Sequence, residues 1–250
     1  MVEVRKSSFN REILSTGQPV HIHLGDATAF AALTSLKEPN TSAIIIDPNV
    51  RATQGVIDSL ASGKSAFEFL ENDPELQRVL SSIYVSMKER TKYYRNLDKA
   101  YRTLWHAVKG NIGNLHLVEG RIQDVLKNLD DKIPAADFVS YYYPSPRYNP
   151  QFAALQLASK LLKSEGEFTV ASEVREIVAN FVNWGGSFAE PAKYVFRDNN
   201  PYLSAYDYIF GNHGYYQTTI CNREDGLEQA VKKKKRQFGF IVQGMLGMIQ

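Results

Sequence analysis

The run Val20-His21-Ile22-His23-Leu24 leads into Gly25-Asp26-Ala27-Thr28-Ala29, and Ala43-Ile44-Ile45-Ile46-Asp47 follows a helical stretch. An apolar strand, a tight turn of small residues, a helix and a second apolar strand closing on an acid describe one βαβ unit. No other segment restricts the fold as much, because parallel strands need a crossover between them and cover on both faces. Small residues in the turn let backbone N–H groups come close to a ligand at the helix start. Asp47 stands about 20 residues on, where nucleotide-binding sheets of this kind hold the acid that bonds the two hydroxyls of a ribose.

The 250 residues suit one domain, 1–250, with an elaboration. The net charge of +2 gives no global field for nucleic acid or anionic membrane, which leaves only local basic clusters for such partners. A single cysteine, Cys221, excludes an internal disulfide and a cysteine-based zinc site. No apolar run reaches membrane-spanning length, and Met1-Val2-Glu3-Val4-Arg5-Lys6 lacks the apolar core of a signal peptide, which predicts a cytoplasmic protein with no membrane partner.

Along the chain, 51–60 reads as weakly helical, ended by Gly63. Over 74–108, Leu76, Val79, Leu80, Ile83, Tyr84, Met87, Leu97, Tyr101, Leu104, Trp105 and Val108 recur at helical spacing between Pro74 and Gly110, which predicts one long helix or two in series. This is far more than a crossover needs. The excess, about 64–110, reads as a helical insertion between the second and third strands, either a lid or a contact for a partner subunit in a homodimer. Strands are then expected at 114–118, 136–143 and 167–172, with helices at 122–129, 152–162 and 174–181 and a turn at Gly166. Two more strands, at 193–197 and 215–220, close the chain as a hairpin. The fold class is therefore α/β, a Rossmann-like, mostly parallel seven-stranded sheet with helices on both faces. The turn lacks the Gly-x-Gly-x-x-Gly spacing of dinucleotide enzymes, which favours the S-adenosylmethionine binders among such sheets.

The strand expected at 136–143 ends in Tyr141-Tyr142-Tyr143-Pro144-Ser145-Pro146-Arg147-Tyr148-Asn149-Pro150. In open α/β sheets the ligand sits beyond such carboxyl ends, and tyrosines offer a planar acceptor flat faces with a hydroxyl at the tip. Tyr143-Pro144-Ser145-Pro146-Arg147, the following helix, Gly166 and Ser172-Glu173, with the closing Thr218-Thr219-Ile220-Cys221-Asn222-Arg223, resemble the second half of the tRNA (guanine-N7) methyltransferase family. The likeness spans 20–47 and 115–223 without the insertion. That family carries Phe-Pro-Asp-Pro-Trp at the proline motif, so Ser145 replaces its Asp and Arg147 its Trp. Its glycine-rich first turn is reduced to Gly25, and alanine suffices at the other positions where no positive φ is needed.

The resemblance implies a class I methyltransferase using S-adenosylmethionine. His23, Gly25, Asp26 and Ala27 would lie along the cofactor's amino-acid and ribose parts, Asp47 would bond the ribose, and Glu119, Gly120, Arg121 and Ile122 would border the adenine. Tyr143, Ser145 and Arg147 would face the acceptor as catalytic residues, with Tyr142, Tyr148 and Glu173 binding it. Methyl transfer needs alignment more than acid–base chemistry, because a sulfonium is already activated. The altered proline motif favours N-methylation of a small planar aromatic acceptor. Methylation of RNA is the alternative, supported by Lys232-Lys233-Lys234-Lys235-Arg236, and a non-catalytic binding subunit on the same scaffold is the third reading. His21 and His23 share one side of their strand, but no third ligand for a metal is evident.

Overall fold

The computed structural model describes residues 4–6, 17–129, 136–142, 151–196 and 214–247. Its strands are β1 (Val4–Lys6), β2 (Val20–Leu24), β3 (Ser42–Asp47), β4 (Leu115–Glu119), β5 (Ala136–Tyr142), β6 (Leu162–Ser172), β7 (Lys193–Phe196) and β8 (Gly214–Cys221). They form one sheet in the order β1-β4-β3-β2-β5-β6-β8-β7. All neighbours are parallel except β6 with β8 and β8 with β7. Without β1, this is a seven-stranded, mostly parallel α/β sheet closed by an antiparallel hairpin, as expected from the sequence. The short β1, which the sequence reading missed, pairs with β4 and lengthens the sheet at that edge.

The helices are α1 (Phe30–Ser35), α2 (Val50–Ala61), α3 (Pro74–Val79), α4 (Ser81–Lys88), α5 (Lys92–Val108), α6 (Ile122–Asn128), α7 (Gln151–Leu161), α8 (Arg175–Gly185) and α9 (Gly226–Gly247). The central strands are apolar on both faces because both are covered. One face carries Ala43, Ile45, Leu115 and Leu117 against α1, α2 and α5. The other carries Ile22, Ile44, Ile46 and Val118 against α6 and α7, with Leu227 and Val231 of α9 in the same cluster.

Two expectations need correction. The stretch 74–108 is three helices rather than one or two. Arg90 turns into the left-handed region at φ 47°, and Thr91 starts α5 afresh by accepting the Tyr94 N–H at 3.4 Å. Asp73 caps α3 through the Leu76 N–H at 3.1 Å, with Pro74 in the first turn. Gly166 is not a turn but lies inside the long strand β6. A Cβ there would come within 2.7 Å of Leu162 and 3.1 Å of the Ala136 carbonyl, so glycine lets β5 and β6 approach.

The insertion joins the core through α5. Tyr101 is fully buried, packs edge-on against Phe30 and Phe67 at 5.3 and 5.1 Å, and donates its hydroxyl to the Thr28 carbonyl at 2.9 Å. Tyr101→Phe keeps the packing and orphans that carbonyl, which costs about 1–3 kcal/mol. Urea denaturation is expected to show that loss, and an unchanged midpoint would mean the insertion does not hold the turn.

Candidate functional site

The strand order reverses between β2 and β5, because β3 lies on one side of this pair and β6 on the other. A crevice opens at the carboxyl ends of the strands at such a point. Gly25 enters it at φ 79°, with its N–H donating to the Ile46 carbonyl at 2.9 Å. Asp26 is buried, and its carboxylate accepts from the Ala32 N–H at 3.0 Å and the Thr28 hydroxyl at 3.2 Å. That carboxylate caps α1, whose N-cap position is Ala29. The Ala27 carbonyl accepts from the Thr53 hydroxyl at 3.1 Å. The turn is thus held from α1, α2 and α5 at once.

Ala29 stands at φ 62°, so the turn uses a positive φ at a position that holds no glycine. An alanine there is strained by roughly 1–2 kcal/mol, and the buried packing of Ala29 helps to hold it in place.

Asp47 ends β3 at the same edge, next to Glu119 in register. It is buried, accepts the Asn49 N–H at 2.6 Å, and takes the Gly120 N–H on its own carbonyl at 3.2 Å. Burial pushes its carboxyl up to about 6, and the bonds from Asn49 offset only part of that. Glu119 and Gly120 therefore border Asp47. Arg121 is exposed at the start of α6, and Ile122 points into the apolar core beneath it.

On the other side of the crevice, Tyr142 ends β5 opposite Ala171, and Glu173 follows β6. Burial raises the Tyr142 hydroxyl above its ordinary range. Tyr143, Ser145, Arg147 and Tyr148 lie outside the described residues.

Sequence reasoning missed the partners of the two histidines. His23 is buried, with Nδ1 2.7 Å from Ser140 Oγ and Nε2 3.0 Å from Ser35 Oγ. Ser35 Oγ also lies 3.1 Å from His21 Nδ1. Desolvation pushes His23 down to about 3 and lowers His21 as well, so both are neutral imidazoles. They line a cavity of 650 Å³ on the α1 side of the sheet. Only the sheet register brings Ser140 to His23, a non-local fact with no local sequence signal. Among the described residues, no group of three or more His, Cys, Asp and Glu is arranged to hold a metal ion.

The two buried groups give opposite pH dependences. The unfolded chain protonates His23 near 6.5 and the folded chain near 3, so stability is present above 6.5 and lost as pH falls through that window. For Asp47 the folded value is the higher one, so its contribution is full below 3.8 and lost as pH rises through 6. Between pH 6.5 and 4.5, His23→Asn is expected to lose less stability than wild type, by roughly 2–3 kcal/mol in urea titrations. Asp47→Asn is expected to stabilise the ligand-free chain at pH 8, and a destabilised variant would contradict the burial of a charged group there.

No family model and no curated protein sequence matches the chain. Among solved structures, it is similar to an antibiotic-related methyltransferase at 16% identity, over 85% of this chain and 91% of that one, with TM-score 0.46. It is also similar to a 30S ribosomal A1408 methyltransferase from an uncultured bacterium at 15% identity, over 88% and 98% of the two chains, with TM-score 0.45. A spermidine synthase from Thermotoga maritima is similar at 10% identity, over 90% of this chain and 60% of that one, with TM-score 0.43.

Proposed function

We propose that the chain is an S-adenosylmethionine-dependent methyltransferase that N-methylates a small planar heterocycle. The observation that carries this reading is Asp47, a carboxylate buried at the end of β3 beside the strand-order reversal. The bonds from Asn49 offset only part of the cost of burying this acid, as its raised pKa records. The paired hydroxyls of a ribose would supply further donors, so the residue fits the group. Gly25, Asp26 and Ala27, with His23 below them, would follow the amino-acid and ribose parts of the cofactor, and Glu119 and Gly120 would border its base. The bound cofactor supplies an activated methyl group. The chain's part is alignment: Tyr142 and Glu173, with Tyr143, Ser145, Arg147 and Tyr148, would hold the acceptor against it.

Two rivals each have an observation behind them. Lys233, Lys235 and Arg236 are exposed on α9, whereas Lys232 pairs with Glu228 at 2.7 Å, so a basic strip is available for RNA phosphates. The inward capping role of Asp26 suits a scaffold that no longer needs its first turn for a cofactor.

Calorimetry with S-adenosylmethionine separates the enzyme from the scaffold. Wild type is expected to bind, and Asp47→Asn to bind about tenfold or more weakly, since hydrogen bonds to a charged group contribute roughly 1.5–3 kcal/mol. No binding by wild type would leave the scaffold reading. Neutralising Lys233, Lys235 and Arg236 is expected to leave turnover of a small acceptor unchanged, and a loss confined to RNA methylation would favour the RNA reading.

A further inference from the structure

One half of the α1-side sheet face is unlike the rest. Across β3 and β4 it is apolar and covered. Over β2, β5, β6 and β8, His23, Ser140, Thr169 and Thr219 form a single cross-strand row instead. Side chains two residues apart on a strand share a face, so Gln217 stands next to Thr219 along β8, and Phe138 and Tyr142 flank Ser140 along β5. His23, Thr169, Thr219 and Gln217 line the 650 Å³ cavity together with Phe138 and Tyr142. That volume suits a small molecule.

Most polar groups of this lining already have partners. Thr34 donates its hydroxyl to the Phe30 carbonyl at 2.9 Å, and Ser35 bonds both His21 and His23. His23 also reaches Ser140, so neither of its ring nitrogens is left for a ligand. The Thr169 and Thr219 hydroxyls lie 3.1 Å apart, and two hydroxyls that share one bond keep one O–H unspent. Gln217 is half-buried, and among the described residues its carboxamide has no partner. The uncommitted neutral groups of the lining are therefore a carboxamide and a hydroxyl, side by side on β8 and β6.

Across the sheet from them, β5 offers the half-buried rings of Phe138 and Tyr142, with His21 5.4 Å from Phe138. The charged members of the lining, Lys37, Glu38 and Glu167, are exposed, so the interior of the cavity is neutral. A charged ligand would lose hydration there without gaining a counter-charge. A carboxamide presents a carbonyl acceptor and an N–H donor next to each other. A ligand hydroxyl engages one of them at a time. A lactam edge pairs with both, as glutamine pairs with the edge of a base.

We infer that the cavity binds an uncharged planar heterocycle through a lactam edge, and that Gln217 is the residue that reads that edge. Gln217 pairs with the ring carbonyl and the adjacent N–H, the unspent hydroxyl of Thr169 and Thr219 supplies a further donor, and Phe138 and Tyr142 supply aromatic contact. Tyr142 joins the cavity to the carboxyl edge of the sheet. Burial raises its hydroxyl, and the neighbouring Tyr215 and Asp26 raise it further. That the bound heterocycle is the methyl acceptor rests on the function proposed above. The pocket and its selectivity do not, and they are tested without cofactor.

The probes are 2-quinolinone, which carries a lactam edge, 1-methyl-2-quinolinone, in which the donor is blocked, and 1-methylquinolinium, a cation of similar size. Binding is read on cofactor-free protein by NMR of the glutamine side-chain amides, the Gln217 signals being identified by their loss in Gln217→Glu. 2-Quinolinone is expected to shift those signals. 1-Methyl-2-quinolinone is expected to bind about fivefold or more weakly, because one neutral hydrogen bond is lost. The cation is expected not to bind. Gln217→Leu is expected to weaken 2-quinolinone about tenfold or more and to cut its advantage over the methylated analogue to about twofold or less. Unmoved Gln217 signals, equal affinity for the two quinolinones, binding of the cation as tight as that of 2-quinolinone, or full affinity in Gln217→Leu would overturn the inference. The first three outcomes use wild type alone, so they decide the matter whether or not Gln217→Leu folds. Failed S-adenosylmethionine binding beside a normal 2-quinolinone response would remove the methyltransferase reading and keep the ligand site. Normal S-adenosylmethionine binding beside silence towards 2-quinolinone would remove the ligand site alone.

Discussion

The hold on the turn from Gly25 to Ala29 is the constraint on which the rest of the site depends. Its backbone runs through two left-handed positions, one of them an alanine, so it cannot persist without outside support. That support comes from three separate elements. Asp26 caps α1, Thr53 of α2 takes the Ala27 carbonyl, and Tyr101 of α5 takes the Thr28 carbonyl. The helical insertion is therefore part of the site's framework. Through Tyr101, packing between α5 and α1 fixes the edge that Asp47 shares.

The sheet divides into two kinds of surface around this turn. To one side, apolar strands bury their faces in the usual way for parallel sheets, and their interiors hold no charge. To the other, neutral histidines and hydroxyls occupy the sheet face, while Asp47 stands at the carboxyl end of β3. Burial displaces the titration of His23 and Asp47 in opposite directions. Each is a stability cost carried at a place suited to a ligand, which is the usual signature of a functional site within an otherwise apolar core.

The parts of the fold that depend on local pattern were legible in the sequence. The runs from Val20 to Leu24 and from Ser42 to Asp47 are apolar and punctuated by Gly25 and Pro48, and they form the central strands as expected. Periodicity at 74–108 gave helix correctly but not its breaks, because Arg90 is not a residue type that announces a left-handed turn. Val4–Lys6 is too short and too charged to read as a strand, and only pairing with β4 makes it one. Gly166 looked like a turn because close approach and turning both call for glycine. The placement of Asp47 beside Glu119 followed from topology. The row from His23 to Thr219 did not, because it exists only once four strands are set in register.

The central claim is that the edge between Gly25 and Asp47 holds a nucleoside through a buried acid. A crystal structure of the chain with S-adenosylhomocysteine tests this most directly. The account predicts both ribose hydroxyls within hydrogen-bond distance of the Asp47 carboxylate, and the amino-acid part of the ligand along Gly25 and Asp26. A ligand bound elsewhere, or a ribose held without Asp47, would contradict it.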